Sequence, residues 1–352
     1  MRLRDRPTPE RQLSRRELNR AVLARQLLLE RARVGLAEAL ERVAGIQAQY
    51  APAMYVGLWT RLESFERAML HAALEDHSVV QGTLMRATIH LVSPVDYWPF
   101  ALAVRRARRE KWLRTRPETT AAQMAGAARR LRGRLTRGPL RAREVDMLLG
   151  RPHSLGVGLW LDLLREPPSG TWARRRADHY ALAEQHVPAS RVTAAQAVEH
   201  LVYSYLRGFG PAARADIASF TGLAPGALAP VLRRMELRHY GGPGGQDLLD
   251  IPDGVLPDPD TPAPVRFLPV WEATLLVHAR RTAILPEEYR PRIFTSANPH
   301  SLGTFLVDGS VAGSWVHRDG RIVLDPWTRI DPATRSALDD EAQRLAGLYQ
   351  AP

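Results

Sequence analysis

Cysteine is absent from this 352-residue chain, which excludes disulfides, thiolate-based zinc sites, iron–sulfur clusters and thiol nucleophiles. Lysine is nearly absent too: Lys111 is the single one among 49 basic residues, so 49 − 1 = 48 are arginine. No apolar run approaches the ~18–20 residues of a membrane span. The N-terminal MRLRDRPTPERQLSRREL lacks the apolar core of a signal peptide, so the protein is expected to be cytoplasmic. Familiar catalytic signatures are missing: there is no P-loop, no His-Glu-x-x-His and no Gly-x-Ser-x-Gly. Gly156-Val157-Gly158 lacks the third glycine of a dinucleotide loop and reads as helix packing. His71 and His77 are spaced so that they do not share a helix face, so no metal site is expected, and no cofactor either.

What is present is positive charge. The formal net charge is +12, and apolar residues at 45% suit a folded, globular chain of two or more domains. A GC-rich genome accounts for arginine over lysine but not for the excess over acids. Residues 101–150 hold 14 basic and four acidic residues, a local charge of 14 − 4 = +10. Such a concentration points to a polyanionic partner, nucleic acid first.

The organisation is repetitive. Ser14-Arg15-Arg16-Glu17 is a capping box opening a helix to about Arg31. Helices are expected over about 36–44 and 65–75, a hairpin over 79–84 and 87–92, and a helix from Pro94 carrying the basic stretch 104–116. Further helices fit 118–136, 140–149 and 154–165. Gly138-Pro139-Leu140-Arg141-Ala142-Arg143-Glu144-Val145 then returns as Gly210-Pro211-Ala212-Ala213-Arg214-Ala215-Asp216-Ile217. Each copy follows a long helix and precedes shorter ones and a strand pair: Thr171–Arg174 with His179–Ala183, and Leu237–Tyr240 with Gln246–Ile251, turned by Gly241-Gly242-Pro243-Gly244-Gly245. Helix–helix–helix–hairpin is the winged helix. The fold class read from this is α+β: three tandem winged helices, then a small β domain, around a basic channel. The boundaries fall at 1–117, 118–188, 189–255 and 256–352, the last after a Pro/Asp linker at 252–264. Strands are expected at Val265–Leu268, Ala273–Val277, Gly303–Val307, Val311–His317 and Arg321–Leu324, with a tight turn at Asp319-Gly320 and a closing helix over 332–348.

One polar segment stands apart: Gly45-Ile46-Gln47-Ala48-Gln49-Tyr50. Residues i and i+2 share a side only in an extended chain, so the two glutamines act together only if this segment is not helical. Gly45 and Pro52 permit that, although composition alone favours a polar connection with solvated amides.

The segments GIQAQYAPAMYVGLW, TLMRATIHLVSPVDYW, PPSGTWARR, RGFGPAARADIASFTGL and TFLVDGSVAGSW, taken in order, resemble the AlkZ/YcaQ-type winged-helix DNA glycosylases over nearly the whole chain. The resemblance implies that Gln47 and Gln49 are the catalytic Gln-aliphatic-Gln pair, with the small Ala48 a mild departure. It further implies excision of N7-alkylguanines, bulky adducts or interstrand crosslinks left by genotoxic natural products, as a self-resistance function. An N7-alkylated purine is already cationic and can leave without a general acid through an oxocarbenium-like transition state. Two amide oxygens can then position water and stabilise charge at C1′.

The expected partner is double-stranded DNA carrying alkylated purines, bound by a monomer with no membrane and no nucleotide cofactor. Candidate DNA contacts are Arg86 and His90 on the first hairpin, Arg174, Arg175 and Arg176 on the second wing, and Trp315, His317, Arg318 and Arg321 on the 315–321 hairpin. For Arg86 and His90 a structural role is weighed equally. The rival readings are a non-enzymatic winged-helix regulator, which would not need Gln47 or Gln49, and an RNA-binding module, which the dearth of exposed aromatic pairs disfavours.

Overall fold

Helix α1 (Arg15–Arg25) begins at the capping box: Ser14 Oγ accepts from the Glu17 N–H at 3.1 Å, and Glu17 accepts from the Ser14 N–H at 2.7 Å. It ends at Arg25 rather than Arg31, and Leu27 just beyond turns left-handed at φ 57°. The computed structural model describes residues 8–276, 283–294 and 301–351.

Three stretches then repeat one order of elements. The first has α2 (Leu36–Arg42), β1 (Ile46–Gln47), α3 (Ala51–Trp59), α4 (Arg67–Glu75), β2 (Val80–Thr83) and β3 (Ile89–Val92). The long α5 (Pro94–Arg114) leads into the second: α6 (Ala121–Leu135), β4 (Leu140–Arg141), α7 (Ala142–Leu149), the single turn α8 (His153–Gly156), β5 (Leu163–Arg165) and β6 (His179–Leu182). After the short α9 (Ala183–His186) comes the third: α10 (Ala194–Phe209), β7 (Ala212–Ala213), α11 (Arg214–Thr221), α12 (Pro225–Leu232), β8 (Arg238–Gly241) and β9 (Asp247–Asp250). In each, the last strand lies between the other two: β1-β3-β2, β4-β6-β5 and β7-β9-β8. Antiparallel pairing of β2 with β5 at Gly82 and Leu164 fuses the first two into one six-stranded sheet. Gly82 is needed there because a Cβ would lie 2.6 Å from the Tyr97 ring.

The chain closes with β10 (Arg266–Leu268), α13 (Ala273–Leu276), α14 (Arg290–Ile293), β11 (Gly303–Val307), β12 (Ser310–Arg318), β13 (Arg321–Pro326) and α15 (Pro332–Gln350). The four strands form an antiparallel sheet in the order β10-β11-β12-β13. Its buried face, Phe267 and Phe305, joins Leu338 and Leu345 of α15 to Met54, Tyr55 and Leu58 of α3. A larger core unites Phe100 and Val104 of α5 with Leu201, Tyr205 and Phe209 of α10. Only the second unit has a core largely its own, built from Met124, Leu131, Leu135, Leu140, Val145 and Leu182.

Four expectations are corrected. Thr171–Arg174 is not a strand: β6 pairs instead with Leu163–Arg165, and the chain between them makes a long, ordered loop. The helix expected over 154–165 lasts one turn, because Gly156 packs against Trp112 (a Cβ there would sit 2.4 Å from the indole) and the chain then tightens to 3-10 geometry. Residues 273–276 are helical rather than extended, and Val277 lies outside the described residues. The basic stretch on α5 is less free than its charge along the chain suggests. Arg105 pairs with Asp162 at 2.6 Å, Arg108 donates to the Thr83 and Leu84 carbonyls, and Arg109 donates to the Leu159 carbonyl at 2.7 Å. Arg106 alone of the four is fully exposed, beside Glu110. These arginines fasten the first unit to the second, and exposed charge sits instead at Arg129, Arg134, Arg137 and Arg143 of the second unit.

Candidate active site

Gly45–Tyr50 is not helical, as the paired role of the glutamines requires: Ile46 and Gln47 form a strand and the chain bends at Gln49 and Tyr50. Gly45, at φ 77°, ends the approach from α2, and its Cα lies so near Val92 that a Cβ would come within 2.9 Å. Ile46 and Gln47 pair with Leu91 and His90 of β3, and the Ala48 N–H donates to the Ile89 carbonyl at 2.8 Å. Pro52 then starts α3.

Both amides are held by the same hairpin. Gln47 is 7% exposed, and its Oε1 accepts from Arg86 Nη2 at 3.4 Å. Gln49 is exposed, and its Oε1 accepts from the Ile89 N–H at 3.2 Å. Each amide oxygen keeps a second lone pair for another partner. A single cavity lined by both is not formed. Gln47 borders a water-sized space of about 10 Å³ that it shares with Gln26, Arg61 and Glu272. The Glu272 carboxylate is engaged there by Arg61, at 2.9 and 3.3 Å, and by the Thr274 N–H at 3.1 Å.

Arg86 and His90 lie behind Gln47. Arg86 sits at the hairpin tip with φ 53° and turns inward: Nη1 donates to the Phe220 carbonyl, Nη2 lies 3.3 Å from His90 Nε2, and the guanidinium stacks 5.3 Å from the Phe220 ring. Burial pushes its pKa down to about 10, so it stays charged at neutral pH. His90 is 2% exposed, and burial, then the neighbouring Arg86 charge, push it down to about 3, so the ring is neutral. The expectation of DNA contact at His90 is therefore revised. A buried ring cannot reach a phosphate, and these two residues position Gln47.

Beside this edge opens a cleft of about 380 Å³, within the ~300–1,000 Å³ typical of ligand pockets. Tyr50, Trp172, Trp315, His317 and Tyr349 line it, with Arg175 at its side. Pro269 and Val270 separate it from the space behind Gln47, bordering both. Its aromatics hold one another: Trp172 meets Tyr349 edge-on at 5.0 Å, and His317 stacks on Tyr349 at 4.1 Å. Trp315 Nε1 donates to the Leu268 carbonyl at 2.9 Å. Burial raises the Tyr349 hydroxyl to about 12, keeping it protonated.

The loop between β5 and β6 supplies Trp172 and three arginines. Ser169 organises it, its hydroxyl accepting from the Asp178 and His179 N–H groups at 2.8 and 3.0 Å. Arg175 Nη1 donates to the Tyr50 hydroxyl at 3.1 Å, while Arg174 and Arg176 flank Asp178. Arg318 and Arg321 are exposed beside the turn between β12 and β13. Thus the structure brings Gln47, Gln49, Arg86 and His90 together on one hairpin, and Arg175, Trp315 and His317 around the adjacent cleft.

A family model for AlkZ-like DNA glycosylases matches residues 40–348. The chain belongs to the AlkZ-like DNA glycosylase family. Its substrate is accordingly DNA. The DNA glycosylase AlkZ of Streptomyces sahachiroi superposes with a TM-score of 0.79 at 18% identity, covering 96% of this chain and 97% of that one, and so shares the fold. Among curated proteins, none matches the sequence. Tyr50, Trp172, Tyr349 and Glu272 of this AlkZ-like chain are not singled out by sequence. Trp172 lies within the PPSGTWARR segment, where the arginines beside it carry the stronger signal. Tyr349 and Glu272 carry no local signal.

Proposed function

We propose that the protein is a monofunctional DNA glycosylase that hydrolyses the N-glycosidic bond of cationic N7-alkylated purines, including bulky adducts and interstrand crosslinks. Its three repeated units act as tandem winged helices on double-stranded DNA, and the protein works as a cytoplasmic monomer in repair and self-resistance. The observation that carries this reading is the non-helical Gln47-Ala48-Gln49, its amides fixed by β3 and Arg86 next to Tyr50, which lines an aromatic cleft. As the C1′–N9 bond breaks, the alkylated base leaves with the bonding pair and loses its positive charge. Water adds at C1′ and gives up a proton to solvent. Gln47 and Gln49 hold that water and the developing cation through amide oxygens. Among the described residues lining the space behind Gln47, the carboxylate is that of Glu272, and Arg61 engages it, which suits leaving groups that are already activated and need no strong base. The cleft accommodates the apolar part of a bulky adduct, and Arg174, Arg175, Arg176, Arg318 and Arg321 contact phosphates.

The test is release of N7-methylguanine from duplex DNA, with uracil DNA as the unreactive control. Gln47→Ala and Gln49→Ala should each slow release by about 10²–10³ with DNA affinity unchanged. The double variant should fall short of the product of the singles, since both residues act on one water. Gln49→Asp should keep activity, because a carboxylate also favours a cationic transition state. Wild-type rates in both alanine variants would replace this reading with a DNA-binding module.

A further inference from the structure

We propose that His77, Glu166 and His186 form a binding site for a divalent first-row metal ion of the zinc class, clamping the first repeated unit to the second. His77 follows α4, Glu166 follows β5, and His186 closes α9. Their ligand-bearing atoms all lie within 4.8 Å of one another, and no other such His/Cys/Asp/Glu group occurs among the described residues. His77 Nε2 stands 3.4 Å from Glu166 Oε2. That is long for a charge-assisted hydrogen bond, which runs about 2.7–2.9 Å. It matches the ~3.3 Å edge of a tetrahedron whose metal–ligand bonds are about 2.0–2.1 Å.

The two imidazoles stack with centroids 4.1 Å apart and planes 21° from parallel, so one ring must turn about its Cβ–Cγ bond to bring both in-plane lone pairs onto one ion. His77 has φ 58°, the left-handed turn that ends α4 as Leu27 and Ala44 end α1 and α2, and it fixes the backbone from which the ring projects. Glu166 is anchored through its N–H to the His179 carbonyl at 2.9 Å, so its carboxylate starts from a fixed backbone. All three residues are half-buried, leaving a fourth position for water. Two imidazoles and one carboxylate are a donor set for zinc, and equally for cobalt or nickel.

The place gives the clamp its purpose. In the fused sheet β2 meets β5 at only one described residue pair, Gly82 with Leu164, and the trio lies beyond that pair where β5 ends and the chain from α4 enters β2. A metal there ties three segments from two units. Sequence spacing sets His77 against His71 and so argues against a site, whereas His71 pairs with Glu75 on the exposed side of α4.

The experiment is titration of the chelator-stripped full-length protein with Co²⁺, followed by visible absorption, and thermal unfolding with and without Zn²⁺. Wild type should show saturable bands of four-coordinate cobalt that Zn²⁺ displaces, and a Tm raised by Zn²⁺. His77→Ala and His186→Ala should lose both responses. Glu166→Gln, which keeps the side-chain shape, should do the same while far-ultraviolet circular dichroism stays native. His71→Ala should respond as wild type. Absence of saturable bands in the wild type, or bands that survive in Glu166→Gln and His186→Ala together, would overturn the assignment and leave a hydrogen-bonded trio.

Discussion

At the tip of the β2–β3 hairpin, Arg86 turns inward to the Phe220 carbonyl and Gln47. In the longer loop between β5 and β6, Arg175 and Arg176 are exposed, with Arg175 touching only Tyr50 from outside. The two hairpins occupy the same place in repeated units. Burial decides the difference: the first tip is roofed by α11 of the third unit, whereas the second projects past α3 toward the cleft. Arginine at a hairpin tip is therefore open to a partner only where no other unit covers it. Helix α5 repeats the contrast within one turn, between buried Arg108 and exposed Arg106.

Substitutions can break that comparison. The largest effect is expected for Arg108→Glu, which buries a negative charge among carbonyl oxygens. It should cost about 3–5 kcal/mol in urea unfolding, the range for an uncompensated buried charge, whereas Arg106→Glu should stay within ~0.5 kcal/mol. Arg86→Ala is next, at about 1.5–3 kcal/mol for charge-assisted bonds removed from a buried carbonyl and amide. It should also slow base excision by loosening Gln47. Arg86→Lys should not rescue the rate, because a point charge cannot reach Phe220, Gln47 and His90 at once.

His90 sharpens the comparison through pH. Its folded pKa, about 3, lies below the unfolded value of 6.5, so the unfolded chain takes up a proton that the folded one refuses. The stability it contributes is complete above pH 6.5 and is lost as pH falls toward 3. Urea midpoints between pH 6.5 and 4 should fall more steeply in wild type than in His90→Asn. The smallest stability change belongs to the exposed loop. Replacing Arg174, Arg175 and Arg176 together by alanine should leave stability within ~0.5 kcal/mol per residue. For every phosphate that these arginines neutralise, the replacement should flatten the log–log salt dependence of DNA binding by about 0.9. An unchanged slope would mean that this loop faces away from DNA.

What sequence reveals follows the range of the forces involved. The capping box, the hairpin at 79–92, the non-helical Gly45–Tyr50 and the Asp319-Gly320 turn are set by residues within a few positions of one another, and they lie where expected. Ala273–Val277 misleads because a short apolar run fits a buried helical turn as well as a strand. Leu163–Arg165 is absorbed into a helix because nothing local announces that Gly156 must meet Trp112. The arginines of α5 mislead for the same reason: their partners Asp162, Thr83 and Leu159 come from other elements, and charge counted along the chain cannot tell a fastener from a contact. At the site, the glutamines are picked out by the family resemblance and not by their spacing alone, and the inward turn of Arg86 and the aromatic wall with Tyr349 are not legible at all.

Helix α1 bears on how the protein is made. Its partners lie far along the chain: Arg25 grips Asp250 across 225 positions, Arg20 meets Asp308 across 288, and Asn19 donates to the Gly309 carbonyl across 290. A ribosome adding about 5–20 residues per second needs roughly 15–60 s to supply them. During that interval the helix holds two arginines destined for burial and an apolar stripe of Val22 and Leu23 with nothing to rest against. Helix α1 thus leaves the ribosome well before the segments that Arg25, Arg20 and Asn19 dock against, and its arginines stay hydrated while it waits.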